Sequence, residues 1–169
     1  MIKVGIITAS DKGSRGERED LSVKAIEEVV AKIDGVVEKY TIVPDDRKII
    51  SKTIVEFVDE HKLDLILTTG GTGFSIRDVT PEATIDVIEK DVPGIAEVMR
   101  MKSLEITPRA MLSRAVSGIR KQTLIINLPG SPKGAKECLS SVIDSIPHGI
   151  EILKGIAREC ASNADSSDN

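Results

Sequence analysis

Four short aliphatic runs recur along the chain and limit most strongly what it can fold into. We predict strands at residues 2–8, 36–43, 63–69 and 123–128. These runs are continuously apolar rather than alternating with polar residues, so both faces of each strand must be covered. Because amphipathic helical segments separate them, the sequence predicts an α/β protein whose parallel sheet carries helices on both faces.

Helix-start signals precede the apolar segments. Asp20 is placed to cap a helix that ends at Gly35, and Asp46 is placed to cap the next one. Residues 70–122 show no clear strand but contain three helix starts, each with a capping residue before a first-turn proline. The capping residues of those three starts are Thr80, Asp91 and Thr107. The apolar positions of the three main predicted helices are Ile26, Val29, Val30 and Ile33, then Ile50, Ile54, Phe57 and Val58, then Ala135, Leu139, Val142, Ile143 and Ile146.

The composition is that of a globular protein with an aliphatic core. The chain has 169 residues, 40% of them hydrophobic and 30% charged, with no tryptophan, one tyrosine and two phenylalanines. So few aromatic rings disfavour base stacking, and a net charge of −4 argues against nucleic-acid or anionic-membrane partners. We expect a single domain over residues 1–160, followed by a disordered polar tail at 161–169.

The two cysteines predict neither a disulfide nor a zinc site. Cys138 and Cys160 stand in helical segments without metal-ligand spacing, and Cys138 is expected to lie in the core. No signal-peptide pattern opens the sequence, and no apolar run approaches the roughly 18 residues of a membrane span. These features favour a cytoplasmic protein.

A glycine-rich loop follows the third predicted strand. The run at 63–69 leads into residues 70–73, which contain three glycines, and Arg77 and Asp78 come shortly afterwards. Glycines let backbone N–H groups approach an anionic ligand, although such glycines taken alone more often mark only a sharp exit from a strand. The loop lacks the lysine of the P-loop and the last glycine of the dinucleotide fingerprint. The neighbouring arginine and aspartate favour a phosphorylated ligand.

A second anion-binding candidate follows the fourth predicted strand. In the segment 128–133, Ser131 suits a helix N-cap and Pro132 suits the first helical position. The N-terminus of this helix can hold a phosphate, and Lys133 would add positive charge. A well-made helix start with no ligand is the alternative.

Two aspartates have no evident role in building a helix. If Asp46 caps one helix and Thr80 another, with Glu82 in the first turn of the second, then Asp45 and Asp78 remain free. Free carboxylates beside phosphate-binding loops predict Mg²⁺ held partly by protein and partly by phosphate. Ordinary surface carboxylates are the alternative.

All of these segments follow predicted strands, and the carboxyl ends of parallel strands share one sheet edge. Ser10 and Asp11 follow the first strand, and Asp45 follows the second. We therefore expect one ligand basin at this edge, and we expect it to be electropositive. The basic residues in or beside the loops are Lys12, Arg15, Arg18, Arg77, Arg109, Arg114 and Lys133.

Four longer segments occur in unbroken order: TTGGTG at 68–73, RDVTPEAT at 77–84, PRAMLSR at 108–114 and IINLPGSP at 125–132. They closely resemble the Mog/MoaB family of molybdenum cofactor biosynthesis, and the same pattern occurs in the gephyrin G domain. The resemblance runs from about Val4 to about Lys154 and looks Mog-like rather than MoaB-like.

The resemblance implies a three-layer α/β/α fold, usually a homotrimer, with molybdopterin adenylyltransferase activity. ATP and molybdopterin would be the substrates, Mg²⁺ the cofactor, and a downstream molybdenum-insertion protein a possible partner. By position, the family's essential aspartates fall on Asp45 and Asp78, which we assign to catalysis and to Mg²⁺. The substrate-binding residues are expected to be Ser10, Asp11, Gly70, Gly71, Thr72, Gly73, Arg77, Glu82, Pro129, Gly130, Ser131 and Lys133.

The substrates favour a mechanism without a general base, because the attacking phosphate is already an anion. Three rival interpretations remain open at this level. They are a binding or trimeric scaffolding module, an inactive or tungsten-pathway relative, and a generic sugar- or nucleotide-phosphate enzyme.

Overall fold

A computed structural model describes residues 1–156, and its centre is a six-stranded sheet in the spatial order β2-β1-β3-β6-β5-β4. Strands β2, β1, β3 and β6 are mutually parallel, whereas β5 joins β6, and β4 joins β5, through antiparallel ladders. The strands are β1 (Ile2–Ala9), β2 (Gly35–Val43), β3 (Leu65–Thr69), β4 (Lys90–Asp91), β5 (Ser117–Arg120) and β6 (Thr123–Leu128).

Helices connect the strands and cover the sheet. They are α1 (Asp11–Ser14), α2 (Ser22–Val30), α3 (Arg47–Asp59), α4 (Thr80–Ile85), α5 (Pro93–Leu104), α6 (Pro132–Val142) and α7 (Ile146–Leu153). Short 3₁₀ turns occupy Ala31–Ile33, Pro108–Leu112 and Ile143–Ser145. None of the helices within residues 1–156 has the length and apolar character to cross a bilayer.

Alternate residues of each central strand face opposite cores, which explains the continuous aliphatic runs. Leu65 and Leu67 of β3 pack in one cluster with residues of α2, α5, α6 and α7, while Ile66 packs in the other with residues of α3 and α4. All three side chains are fully buried, and each contributes about 1.5–3 kcal/mol. The predicted α/β fold, with helices on both faces of a mostly parallel sheet, is therefore confirmed.

The prediction that residues 70–122 contain no strand was wrong, since β4 and β5 lie within them. Both are short, and β5 contains Gly118, whose missing side chain lets β4 approach closely. A Cβ on that glycine would lie 2.8 Å from the carbonyl oxygen of Lys90. Such a strand has no aliphatic signature, so periodicity could not detect it.

Three predicted caps are confirmed and three were wrong. Side-chain oxygens of Asp46, Thr107 and Ser131 accept hydrogen bonds from the first turns of their helices. By contrast, α2 and α5 have Leu21 and Val92 at the N-cap and no capping side chain.

The three wrong assignments have local reasons. Asp20 accepts the N–H of Ser22 at 2.9 Å but stands one residue before the N-cap. Thr80 is the first residue of α4, and Asp91 ends β4. Cys138 is buried as expected, whereas Cys160, the predicted domain end at 160 and the predicted tail at 161–169 lie outside the described residues.

Candidate active site

A cleft of about 460 Å³ opens at the carboxyl ends of β1 and β3, with the loops after β2 and β6 at its sides. In the strand order, β2 lies on one side of β1 and β3 on the other, so the cleft lies at the topological switch point. Seven of the predicted site residues line it together: Ser10, Asp45, Gly70, Gly71, Asp78, Gly130 and Ser131. The predicted convergence of four loops is thus present in the structure.

The glycine loop requires its glycines. Gly70 and Gly71 have φ values of +94° and +67°, and a Cβ on Gly70 would lie 2.5 Å from the carbonyl oxygen of Ala9. A Cβ on Gly130 would lie 3.2 Å from the Cα atom of Gly70, so the loops after β3 and β6 approach backbone to backbone. The hydroxyl of Thr69 joins them by donating to the carbonyl of Pro129 at 2.7 Å.

The N-terminus of α6 forms one wall of the cleft. Ser131 caps this eleven-residue helix by accepting the N–H of Gly134 at 3.1 Å, and Pro132 follows in the cleft lining. Lys133 points elsewhere: its side chain is 81% exposed and lies 3.9 Å from Glu137, outside the lining. The helix end, rather than the lysine, is the positive feature here.

Asp45 and Asp11 hold each other across the loops after β2 and β1. The N–H of Asp11 donates to the carboxylate of Asp45 at 2.9 Å, and the N–H of Asp45 donates to Asp11 at 3.0 Å. Burial, followed by the negative charges of Asp11 and Asp78, raises the pKa of Asp45. The site therefore resists an isolated negative charge at Asp45 and favours a cation beside it.

Arg77 pairs with Asp11 instead of facing the cleft freely. Its guanidinium makes two hydrogen bonds of 2.9 Å to the carboxylate of Asp11, and these bonds lower the pKa of that carboxyl. Neither residue belongs to the cleft lining, although Asp11 contacts Asp45, which does. Their predicted role in substrate binding stays a prediction.

Asp78 is held by the turn that precedes it. One of its carboxylate oxygens accepts the N–H of Ser75 at 2.9 Å, and the N–H of Asp78 donates to the carbonyl of Ser75 at 2.9 Å. A Cβ on Gly73 would approach the same oxygen to 2.8 Å, so this glycine leaves room for the carboxylate. The other carboxylate oxygens of Asp78 and Asp45 have no hydrogen-bond donor among residues 1–156.

Arg114, which the sequence analysis counted only among the cations of the basin, contacts the loop that carries Asp78. Its guanidinium donates to the carbonyls of Gly73 and Asp78, each at 2.7 Å, and also pairs with the carboxylate of Glu82. Glu82, predicted to bind substrate, lies outside the cleft lining and is engaged by this arginine. The signals in the sequence were the positive charge of Arg114 beside a predicted loop and its position at the end of the motif at 108–114.

The expectation of an electropositive basin was wrong. The charged side chains that line the cleft are Arg18 and four acids: Glu19, Asp20, Asp45 and Asp78. Two of the expected cations are neutralised by acids outside the cleft lining, because Arg15 pairs with Glu17 of its own loop and Arg77 pairs with Asp11 of the loop after β1. The cleft thus combines an acidic rim with a helix N-terminus and glycine backbone.

The donor set fits a divalent cation that is shared with a ligand. Within the described part of the chain, no group of three or more His, Cys, Asp or Glu side chains forms a complete metal cage. Asp45 and Asp78 nevertheless both line the cleft, and carboxylate oxygens are ligands that Mg²⁺ prefers. Two carboxylates leave the remaining coordination positions to water and phosphate oxygens.

A second cavity, of about 330 Å³, lies beside the first and is mostly apolar. Predicted site residues Thr72, Gly73 and Pro129 line this cavity rather than the cleft. Its other walls come from α5, from the turn at Pro108–Leu112 and from α6. The glycine loop therefore separates two concave surfaces.

Comparisons with known proteins agree on one relationship. Residues 5–148 match the family described as a probable molybdopterin binding domain. A molybdopterin adenylyltransferase of Helicobacter pylori (strain J99) is 47% identical over 156 residues, which cover 91% of this chain and 89% of the relative. One from Escherichia coli (strain K12) is 42% identical over 168 residues, covering 91% and 86%. The crystal structure of the molybdopterin biosynthesis enzyme MoaB from Thermus thermophilus has a TM-score of 0.87 at 51% identity, covering 92% of this chain and 98% of that one.

Proposed function

Because this chain belongs to the molybdopterin-binding family of molybdenum cofactor biosynthesis, we propose that it is a molybdopterin adenylyltransferase. The family resemblance drawn from the sequence is confirmed by relatives of that name that match nearly the whole chain. One structural observation supports the assignment of an enzymatic reaction to this chain. Asp45 and Asp78 come from different loops and face one cleft, together with a glycine loop and a helix N-terminus.

The reaction transfers AMP from ATP to the terminal phosphate of molybdopterin. An oxygen of that phosphate forms a bond to the α-phosphorus of ATP, and the bond from the α-phosphorus to the bridging oxygen breaks, releasing pyrophosphate. The attacking oxygen is already negatively charged at neutral pH, so no side chain has to remove a proton. Bringing two polyanions into line is the main difficulty, and positioning dominates the catalysis.

The backbone groups of the cleft suit this task. Gly70 and Gly71 present main chain without Cβ atoms, and the N-terminus of α6 places the positive end of a helix dipole at the cleft, where it would favour an anion. Ser10 and Ser131 cap the helices on either side and keep these loops in place. We assign phosphate binding to this backbone surface.

Asp45 and Asp78 are the residues that would hold Mg²⁺. When bound, the ion neutralises the phosphates and orients them for in-line transfer. The acidic rim supports this proposal, since four carboxylates beside a triphosphate would otherwise repel it. The raised pKa of Asp45 has the same physical cause, burial followed by neighbouring negative charge.

The direct test is adenylyl transfer by the purified chain, followed as pyrophosphate release from ATP in the presence of molybdopterin and Mg²⁺. Asp78→Asn should retain molybdopterin binding and lose most of the turnover, because the amide cannot replace the charge. Asp91→Asn, a change on exposed β4 at the far edge of the sheet, is the matched control and should keep wild-type turnover.

Two results would contradict the proposal. Absence of pyrophosphate release by the wild-type chain would remove the enzymatic function and leave the scaffolding alternative. Full turnover by Asp78→Asn would leave the activity in place but refute the role given to Asp78.

We also propose that the chain self-associates, as a homotrimer. Large apolar side chains are exposed close together in sequence, on α5 and the segment after it, and they include Ile106 at 62% and Met111 at 65% exposure. A second copy of the chain would cover such a surface. Light scattering after size-exclusion chromatography measures the mass directly, and a monomer at micromolar concentration would contradict this assignment.

A further inference from the structure

One residue, Arg114, is hydrogen-bonded to three positions of the loop that carries Asp78. Besides the side-chain bonds of Arg114 to the carbonyls of Gly73 and Asp78, its backbone N–H donates to the carbonyl of Thr72 at 3.0 Å. Arg114 itself comes from the segment between the turn at Pro108–Leu112 and β5. A segment distant in sequence thus connects the two ends of the loop 72–78 through hydrogen bonds.

The exposed part of the loop is otherwise held by the Arg77–Asp11 pair and by the hydrogen bonds between Ser75 and Asp78. The four residues from Phe74 to Arg77 are all exposed, and Ile76 is 96% exposed. The guanidinium binds the carbonyls on both sides of these four residues, which fixes the distance between the two ends of the exposed turn. A lysine cannot reproduce this, because its single ammonium lacks the planar fork of donors.

The position of the Asp78 carboxylate depends on that turn. Its side chain accepts the N–H of Ser75 from within the turn, and it occupies the space left open at Gly73. If the turn opens, both constraints on the carboxylate are lost together. Arg114 therefore fixes the position of the Asp78 carboxylate through the backbone of the turn, without direct contact between the two side chains.

Glu82 completes the arrangement from the first turn of α4. Although burial alone would raise the pKa of Glu82, the hydrogen bond and charge of Arg114 lower it, so Glu82 is ionised and balances the guanidinium. The side chains are 33% exposed for Arg114 and 36% for Glu82. With its donors directed at two carbonyls and one carboxylate, Arg114 is oriented for holding the loop rather than for binding phosphate.

We infer that Arg114, held by Glu82, is a positioning residue that sets the geometry of Asp78 in the reaction. The inference rests on the proposed adenylyl transfer and adds to it a residue that does not touch substrate. Loss of such supporting contacts typically lowers activity by about 10–100-fold.

The first experiment compares Arg114→Lys with Arg120→Lys. Arg120 is a matched control, because its guanidinium also bridges a carbonyl (Val87, 3.1 Å) and a carboxylate (Asp59, 3.1 Å), and it lies on β5 outside both cavities. Arg114→Lys should lower kcat by about 10–100-fold while KM for ATP changes much less, and Arg120→Lys should leave kcat near wild type. Equal losses of kcat in both variants would overturn the inference.

A double-mutant cycle shows whether Arg114 acts through Asp78. In the Asp78→Asn background, Arg114→Lys should reduce the residual kcat by less than about twofold, because the group it positions has been removed. If the two losses multiply instead, Arg114 acts independently of Asp78 and the inference fails. Glu82→Gln is the milder companion variant and should lower kcat in the same direction with the fold intact.

A measurement without turnover separates this inference from the proposed function. Hydrogen exchange should become at least about tenfold faster at the N–H groups of Ser75 and Asp78 in Arg114→Lys, and stay unchanged in Arg120→Lys. Unchanged protection in Arg114→Lys would overturn the inference even if the wild-type chain is an active enzyme. If exchange becomes faster in Arg114→Lys but the wild-type chain releases no pyrophosphate, the role of Arg114 in holding the loop stands and the proposed enzymatic function is refuted.

Discussion

Substituting alanine for Gly70 tests directly whether the cleft depends on the backbone approach described above. The new Cβ would lie 2.5 Å from the carbonyl oxygen of Ala9, an atom of β1 that is fixed by the sheet. The φ of +94° adds strain for any residue with a side chain, of about 1–3 kcal/mol. Overpacking against fixed atoms costs a further 1–3 kcal/mol or so. We therefore expect Gly70→Ala to lower the free energy of unfolding by about 2–6 kcal/mol.

Gly149→Ala makes the same chemical change where the structure predicts the opposite sign. Gly149 lies inside α7, and no atom outside its own helix lies within 4 Å of an added Cβ. Alanine should stabilise the protein there by about 0.5–1 kcal/mol, because glycine is the poorer helix former.

Urea denaturation at one fixed protein concentration measures both changes. In thermal melts, the loss at Gly70 should appear as a fall of at least about 4 °C in Tm. Gly70→Ala should also lose adenylyl transfer, since the loop after β3 would be pushed away from the end of β1 in the cleft. A denaturation midpoint equal to that of the wild type would refute the steric reasoning for the whole glycine loop.

Two further predictions concern carboxylates, one half-buried (Asp45) and one buried (Asp64). Asp45→Asn should stabilise the fold near neutral pH while abolishing activity, because burial and neighbouring charge raise the folded pKa above the ordinary 3.8. The folded state then binds the proton more tightly than the unfolded state, so wild-type stability falls as the pH rises through this window. Denaturation between pH 4 and 8 should show the advantage of the variant shrinking towards pH 4, and a constant advantage would contradict it. Lys154→Met should destabilise the protein by about 1–3 kcal/mol, because Asp64, 5% exposed, loses its 2.6 Å ion pair. Lys24→Met, which breaks an exposed 3.8 Å pair, should change the denaturation midpoint little, and equal effects would refute the burial argument.

The sequence predicted the central strands well because their signal is local. The run at 123–128 is β6 as predicted, and the first two strands differ from their predicted bounds by one residue each. Aliphatic runs of this kind encode burial on both faces of a sheet, and no distant partner is needed to recognise them. The antiparallel strands β4 and β5 were missed because their residues are mixed in polarity, and the ladders that define them, β4 with β5 and β5 with β6, leave no local pattern in the sequence.

The prediction of the site likewise succeeded where it depended on strand direction and failed where it depended on contacts between distant segments. Strand direction placed Ser10, Asp45, Gly70 and Ser131 at one edge, since all parallel strands end there. The charge of that edge was predicted wrongly, because loop position does not reveal which acid neutralises a given arginine. Arg77 pairs with Asp11 across 66 residues of chain, and Arg114 pairs with Glu82 across 32.

The sequence alone determined which segments are the four parallel strands, where the glycines and free aspartates stand along the chain, and to which family the protein belongs. The tertiary structure alone decided that the cleft is acidic, that Arg77 faces Asp11, and that Arg114 holds the loop of Asp78. The physical reason is the separation along the chain over which each kind of interaction acts. Backbone conformation and burial periodicity are set by neighbouring residues, whereas ion pairs and loop contacts form between segments that only the completed fold brings within hydrogen-bonding distance.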